Sequence, residues 1–170
     1  MAEKVAEILS HWYHLTEGLR GSSQAFYAAV RQAIERRRLP DVRLSRVDHR
    51  QGGILSAKRE YLRVRRKEHI FDICAAPFGP GGFFVSWWLG VMPDSLLAQL
   101  PIIGWIVSRF LKPITYYKLD TALMFQESVH AAVLEILDGA TKAKGLRALS
   151  EMDRKPILTG LFSRGGLGKG

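Results

Sequence analysis

Hydrophobic positions recur with two different periods along the chain. Within residues 1–20, apolar side chains lie three to four positions apart, as expected for an amphipathic helix; they are Val5, Ile8, Leu9, Trp12 and Leu15. Such a helix either packs on the core or serves as a detachable arm for a partner or a lipid surface. A second helix is predicted between Ser22 or Ser23, which can cap it, and Pro40, which ends it.

From about residue 41 to 92 the pattern alternates with period two, which is typical of β-strands. It predicts four strands, over residues 42–50, 54–67, 69–76 and 83–91. Glycines at 52 and 53 turn the first pair, and the Pro- and Gly-rich residues 77–82 turn the last. Because short connections join antiparallel neighbours, the four strands form a meander. A fifth strand is expected at 114–118, followed by a long helix from Asp120 to Gly139.

The order of these elements predicts an α+β fold. We expect a single antiparallel β-meander of four to five strands, with helices before and after it packed mainly on one face. The chain divides into an N-terminal amphipathic helix (1–20), an α+β domain (21–145) with an apolar insert at 93–112, and a C-terminal tail (146–170) that is Gly-rich and flexible at its end.

The strand around residues 82–90 is apolar on both faces, and a strand of this kind is covered on both. The apolar segment 95–111 is near enough in sequence to cover it, or else contacts a bilayer or another subunit. As a helix its uninterrupted part reaches about 21 Å, too short for a hydrocarbon core of about 30 Å. The candidate interface or membrane residues are Trp87, Trp88, Ile102, Ile103, Trp105, Ile106 and Phe110.

Charge is concentrated in one part of the chain. The net charge is +9, and residues 31–67 hold thirteen Lys or Arg against four acids, while the remainder holds twelve of each. This block predicts a basic patch rather than a generally basic surface.

The densest part of this block is REYLRVRRK, residues 59–67. Alternation in a strand places five side chains on one face: Arg59, Tyr61, Arg63, Arg65 and Lys67. Burial costs several kcal/mol for each unpaired charge, so this face must contact water or anions. Either it keeps an exposed sheet soluble and protects an edge, or it binds a polyanion, with Arg43, Arg46 and Arg50 of the preceding strand widening the site.

Candidate chemistry is sparse. Cys74, the single cysteine, is predicted to be a small core residue. Because one cysteine cannot form an internal disulfide, we expect a location in the reducing cytoplasm, with attachment to a membrane surface as an alternative. Asp72 alternates onto the face of Cys74 and Ile70, so it needs a partner such as an arginine if that face is buried. His11 and His14 lie one helical turn apart, but no further ligands complete a metal set. We therefore predict no catalytic residues, no metal and no cofactor.

These observations favour a non-catalytic binding module whose Arg-rich sheet face docks on an anionic partner, either nucleic acid or acidic lipid headgroups. The alternative is a structural or adaptor subunit of an oligomeric or membrane-peripheral complex, using the Trp-rich apolar segment. An enzyme is the least favoured class, and no small-molecule substrate is inferred.

Overall fold

The computed structural model describes residues 7–50, 58–92 and 115–158. In chain order the elements are β1 (Glu7–Glu17), α1 (Ser23–Arg36), β2 (Val42–Arg50), β3 (Lys58–Arg66), β4 (His69–Phe78), β5 (Gly82–Val91), α2 (Tyr116–Ala143) and β6 (Ile157–Leu158). The described strands form one antiparallel sheet in the order β2-β3-β4-β5-β1-β6. The α+β class with an antiparallel sheet is confirmed, with six described strands rather than four to five.

Strands β2 to β5 pair in chain order as a meander, and the predicted turn at Gly52 and Gly53 lies outside the described residues. The two-residue turn between β3 and β4 contains neither Gly nor Pro, and Lys67 adopts the left-handed conformation there with φ +51°. Between β4 and β5, Gly79 has φ +65°, which favours glycine. A Cβ on Gly82 would lie 2.7 Å from the carbonyl oxygen of Phe78, so a side chain there would push the hairpin apart.

The predicted N-terminal helix is wrong over residues 7–17, which form β1, an inner strand of the sheet between β5 and the edge strand β6. Pairing sets Trp12 opposite Trp87 and His14 opposite Val85. The peptide groups along this side of β5 need hydrogen-bond partners, and a strand supplies a continuous row of them, which outweighs a helical spacing of apolar residues. β1 therefore belongs to the same sheet as the meander.

The second half of the chain also differs from expectation. Residues 116–118, predicted as part of a strand, are the first turn of α2, and α2 continues past Gly139 to Ala143. It ends where Gly145 takes φ +65° and the amide of Leu146 donates to the carbonyl of Thr141. In the tail, β6 pairs with β1, so residues 157 and 158 extend the sheet; the Gly-rich end lies outside the described residues.

Both helices pack on one face of the sheet, called here the helix face. Ring contacts join Phe71 and Trp87 to α2, and Phe83 to Phe26 of α1. The core side chains of β4 and β5 on this face are Phe71, Ile73, Ala75, Phe83, Val85, Trp87 and Leu89. The other surface, called here the open face, carries the alternate residues of each strand, among them Asp72 of β4 and Trp88 of β5.

A histidine connects the helix face to the tail. The indole Nε1 of Trp87 donates to Nδ1 of His130 (2.9 Å), so Nδ1 is an acceptor and Nε2 carries the proton, which it donates to the carbonyl oxygen of Arg154 (2.7 Å). Burial lowers the pKa of His130. Protonation would place two N–H groups against each other at Trp87, because a charged imidazole has no acceptor.

We therefore expect stability to fall in acid. The unfolded chain binds a proton at His130 near its ordinary pKa of about 6.5, and the folded chain resists it, so the contribution is complete above about pH 6.5 and is lost as pH falls below it. Burial lowers the pKa of His69 as well, which acts in the same direction. Urea unfolding at about pH 7.5 and pH 5.5 measures the loss. In His130→Gln the loss should be smaller, and an equally steep acid dependence would contradict this account.

Candidate docking face and its buried ion pair

The basic row of β3 lies on the open face, as alternation predicts. Arg59 and Arg65 are exposed, Tyr61 is half-buried, and Lys67 is exposed in the turn after the strand rather than in the strand itself. Arg63 differs from its neighbours because only 5% of it is accessible to solvent. The row is therefore not a uniform track of exposed charge.

Arg63 forms a bidentate ion pair with Asp72 of β4. Its Nε donates to Oδ1 (2.7 Å) and its Nη2 donates to Oδ2 (2.8 Å). Asp72 is itself 6% exposed and shares the open face with the buried Ile70 and Cys74, so the expectation of an arginine partner is met. Register explains the choice: the turn places Arg66 opposite His69, and counting back along both strands places Arg63 opposite Asp72. The anionic partner of Arg63 is therefore Asp72, a residue of the same chain.

His49 of β2 completes the cluster, and sequence reasoning missed it. Its Nε2 lies 3.1 Å from Oδ2 of Asp72, and its ring meets the Tyr61 ring edge-on with centroids 4.9 Å apart. The periodic pattern places His49 on the same face as Tyr61, but only the three-dimensional twist of the sheet brings it across β3 to Asp72. The cluster of Arg63, Asp72 and His49 thus joins three strands.

A second group of polar side chains surrounds the cysteine. Burial raises the pKa of Tyr61, and the Cys74 thiol acts in the same direction while Arg59 opposes it. Burial also raises the pKa of Cys74, against the lowering effects of Arg59 and of hydrogen bonds to Arg59, Tyr61 and Ser86. Thiol and phenol therefore stay neutral near pH 7, and Cys74 is not activated as a nucleophile.

The three arginines expected to widen the basic row do not all lie on one face of the sheet. Arg43 pairs directly with Arg65 and is exposed on the open face. Arg46 lies on the helix face: its guanidinium carbon is 4.2 Å from the centroid of the Tyr27 ring, and its Nη1 is 3.7 Å from Glu60. Arg46 therefore does not extend the basic row on the open face. Arg50 is the last residue of β2, where it pairs with Lys58.

Beside the basic side chains, the open face carries exposed apolar ones. Trp88 is 42% exposed and stacks on His11 with centroids 4.7 Å apart, and Tyr13 is 60% exposed and stacks on Phe84. We name the exposed set Ile8, Tyr13, Leu15, Phe78 and Trp88 the apolar half of the open face. It lies on β1, β4 and β5, whereas Arg43, Arg59 and Arg65 lie on β2 and β3.

The other predicted interface residues do not join the apolar half. Trp87 lies on the helix face, is fully buried and donates to His130, so it is a core residue and not a surface residue. Alternation along β5 is the reason, because adjacent tryptophans point to opposite faces. Ile102, Ile103, Trp105, Ile106 and Phe110 lie outside the described residues.

Two further features concern metals and membranes. As strand residues, His11 faces the open face and His14 the helix face, so the two imidazoles cannot share one ion. Over residues 7–50, 58–92 and 115–158, no group of three or more metal-ligating side chains converges. In the same part of the chain, neither helix has the length and apolar character needed to cross a bilayer.

The comparisons with known proteins add little to this geometry. No family model matches the chain, and no curated protein matches it. Among solved structures, a likeness is found to the di-domain ARO/CYC StfQ from the steffimycin biosynthetic pathway, with 12% identity and a TM-score of 0.29. The match covers 81% of this chain and 52% of that one, so the chain spans about half the length of that protein.

The ion pair of Arg63 and Asp72 can be tested by stability. Arg63→Ala leaves a buried carboxylate without its main partner, and we expect a loss of about 3 kcal/mol or more in the free energy of unfolding. The double change Arg63→Met with Asp72→Leu removes both charges and should recover most of that loss. Denaturant unfolding measures each variant.

The matched control is Arg65→Ala, two residues along the same strand, which should change stability by no more than about 0.5 kcal/mol because Arg65 is exposed. Equal losses in Arg63→Ala and Arg65→Ala would show that the pair is not a structural element of this face.

Proposed function

We propose that this chain is a non-catalytic binding module that docks its open face on an anionic membrane surface. The observation that carries the proposal is that exposed cations and exposed apolar side chains share one face of one sheet. Arg43, Arg59 and Arg65 supply the cations, and Tyr13 and Trp88 supply amphipathic rings.

Physical chemistry favours this partner. Each Lys or Arg near an anionic bilayer contributes about 1 kcal/mol of binding, and Trp and Tyr rings favour the level of the headgroups. Arg43 and Arg65 are directly opposed across β2 and β3. The Cβ atoms of directly opposed residues lie about 5 Å apart, and even at that separation two charges in water repel by only roughly 0.8 kcal/mol, which the fold tolerates and an intervening phosphate relieves.

Nucleic acid is a weaker candidate for the same chemistry. Binding of single strands usually combines a basic groove with rings on which bases stack. Tyr61, the aromatic residue within the basic row, is half-buried and meets His49 with its ring, so it is not a free stacking platform. Contact with nucleic acid would then rest on phosphates alone.

A second candidate function is supported by the apolar half taken by itself. Its exposed side chains, with Phe78 65% accessible, could form an interface in an oligomer or adaptor complex, while the arginines keep the remainder soluble. This alternative predicts self-association that survives at high salt, since apolar contacts are not screened. Docking on lipid through arginines predicts the opposite salt dependence.

Co-sedimentation with vesicles tests the proposal. We expect binding to vesicles of phosphatidylcholine with about one-third phosphatidylserine, weak binding to phosphatidylcholine alone, and loss of binding as salt rises. Changing Arg43 and Arg65 together to Glu should reduce binding at least tenfold without unfolding the chain, because both side chains are exposed.

The matched control changes Lys144 and Lys155 to Glu, which alters net charge equally at exposed positions after α2 and before β6. It should retain most of the binding. If the two double variants lose binding equally, net charge and not the open face would be responsible. Binding of a single-stranded oligonucleotide with no vesicle binding would assign the arginines to nucleic acid instead.

A further inference from the structure

A cavity of about 200 Å³ lies on the open face and is lined by residues from β1 to β5. Two aliphatic side chains, Ile8 and Ile70, line it, together with the rings of Tyr61 and Trp88 and the polar groups of His49 and Asp72. We propose that this cavity binds a compact, neutral aromatic molecule that carries one hydrogen-bond donor, such as a hydroxyl or a ring N–H. The inference uses different residues from the phosphate-binding arginines and does not rest on the docking proposal.

The size of the cavity limits the ligand. An apolar cavity of about 150 Å³ in another protein accommodates benzene, so about 200 Å³ suits a molecule of one or two fused rings. An aromatic wall favours an aromatic occupant: the indole of Trp88 stacks on His11 but remains 42% exposed, so it can contact a ligand ring.

The polar groups at the cavity present acceptors. A carboxylate accepts about four hydrogen bonds, and in the described residues three nitrogens lie against Asp72: Nε and Nη2 of Arg63, which donate, and Nε2 of His49. Nε2 of His49 lies 3.1 Å from Oδ2 of Asp72 and 3.5 Å from Nη2 of Arg63, so this nitrogen is already engaged within the cluster. A ligand donor can therefore occupy the fourth acceptor position of Asp72, which lines the cavity.

The charges of Asp72 and Arg63 at the cavity favour a neutral ligand. An anion in the cavity would face the carboxylate of Asp72, which lines the wall, and a cation would approach the guanidinium of Arg63 directly behind it. The ion pair is already internally compensated, so neither charge gains a free partner, and either one would lose hydration on entry. A neutral hydroxyl keeps the hydrogen bond without that cost.

The proposal is tested with three matched naphthalenes at pH 7, using an NMR titration of the labelled protein. We expect 2-naphthol, a neutral donor, to bind at least tenfold tighter than 2-methoxynaphthalene, which lacks the donor, and than the 2-naphthoate anion. The shifted and transferred signals should lie at the methyl groups of Ile8 and Ile70. Equal affinity for all three probes, or signals that map elsewhere, would overturn the proposal.

A pair of variants adds an independent readout. Trp88→Ala removes a wall of the cavity and should weaken 2-naphthol at least tenfold, whereas Tyr13→Ala, on the same face but not lining the cavity, should bind as the unmodified chain does. Unchanged affinity in folded Trp88→Ala would contradict the assignment. The methyl contacts in the unmodified protein decide the question even if Trp88→Ala does not fold.

Discussion

The buried ion pair between Arg63 and Asp72 is the constraint on which the open face depends. Strand β4 is buried from His69 to Ala75 although both helices pack on the helix face only, so any polar side chain on its other face needs a partner. Arg63 supplies it through two hydrogen bonds, and His49 adds a third from β2. Removing one partner is expensive where both are desolvated, so the pair fixes which charges of the row are structural and which are available to a partner.

The two faces of the sheet consequently carry different kinds of side chain. On the helix face, Trp87 and His130 connect the core to the tail with every ring nitrogen bonded. On the open face, charge lies on β2 and β3 and exposed apolar area lies on β1, β4 and β5. This division follows from strand order, because β1 pairs with β5 and so places Tyr13 on the strand next to Trp88 rather than next to the arginines. The proposed membrane docking rests on this arrangement of a basic part beside an apolar part.

The alternation of apolar and polar residues and the turn residues correctly predicted the features that depend on residues close in sequence. The β2 to β5 strand order, a turn within residues 77–82 (79–81 in the structure) and an arginine partner for Asp72 all follow from alternation and turn residues. The N-terminal strand did not, because its helical spacing of apolar residues is overridden by pairing with β5 about seventy residues later. His49 was missed because its contact with Asp72 crosses an intervening strand, and Arg46 was misplaced because strand parity was not applied to β2. Contacts set by long-range register and twist are not readable from one strand alone.

Depth measurement with single labels tests the central claim that the open face is the docking surface. In a Cys74→Ala background, an environment-sensitive fluorophore is attached to Tyr13→Cys on the open face, or to Met124→Cys on α2, both exposed positions. On phosphatidylserine-containing vesicles, the account predicts a blue-shifted emission and quenching by brominated lipid at position 13, with no change at position 124. Equal responses at the two positions, or a response confined to position 124, would contradict it.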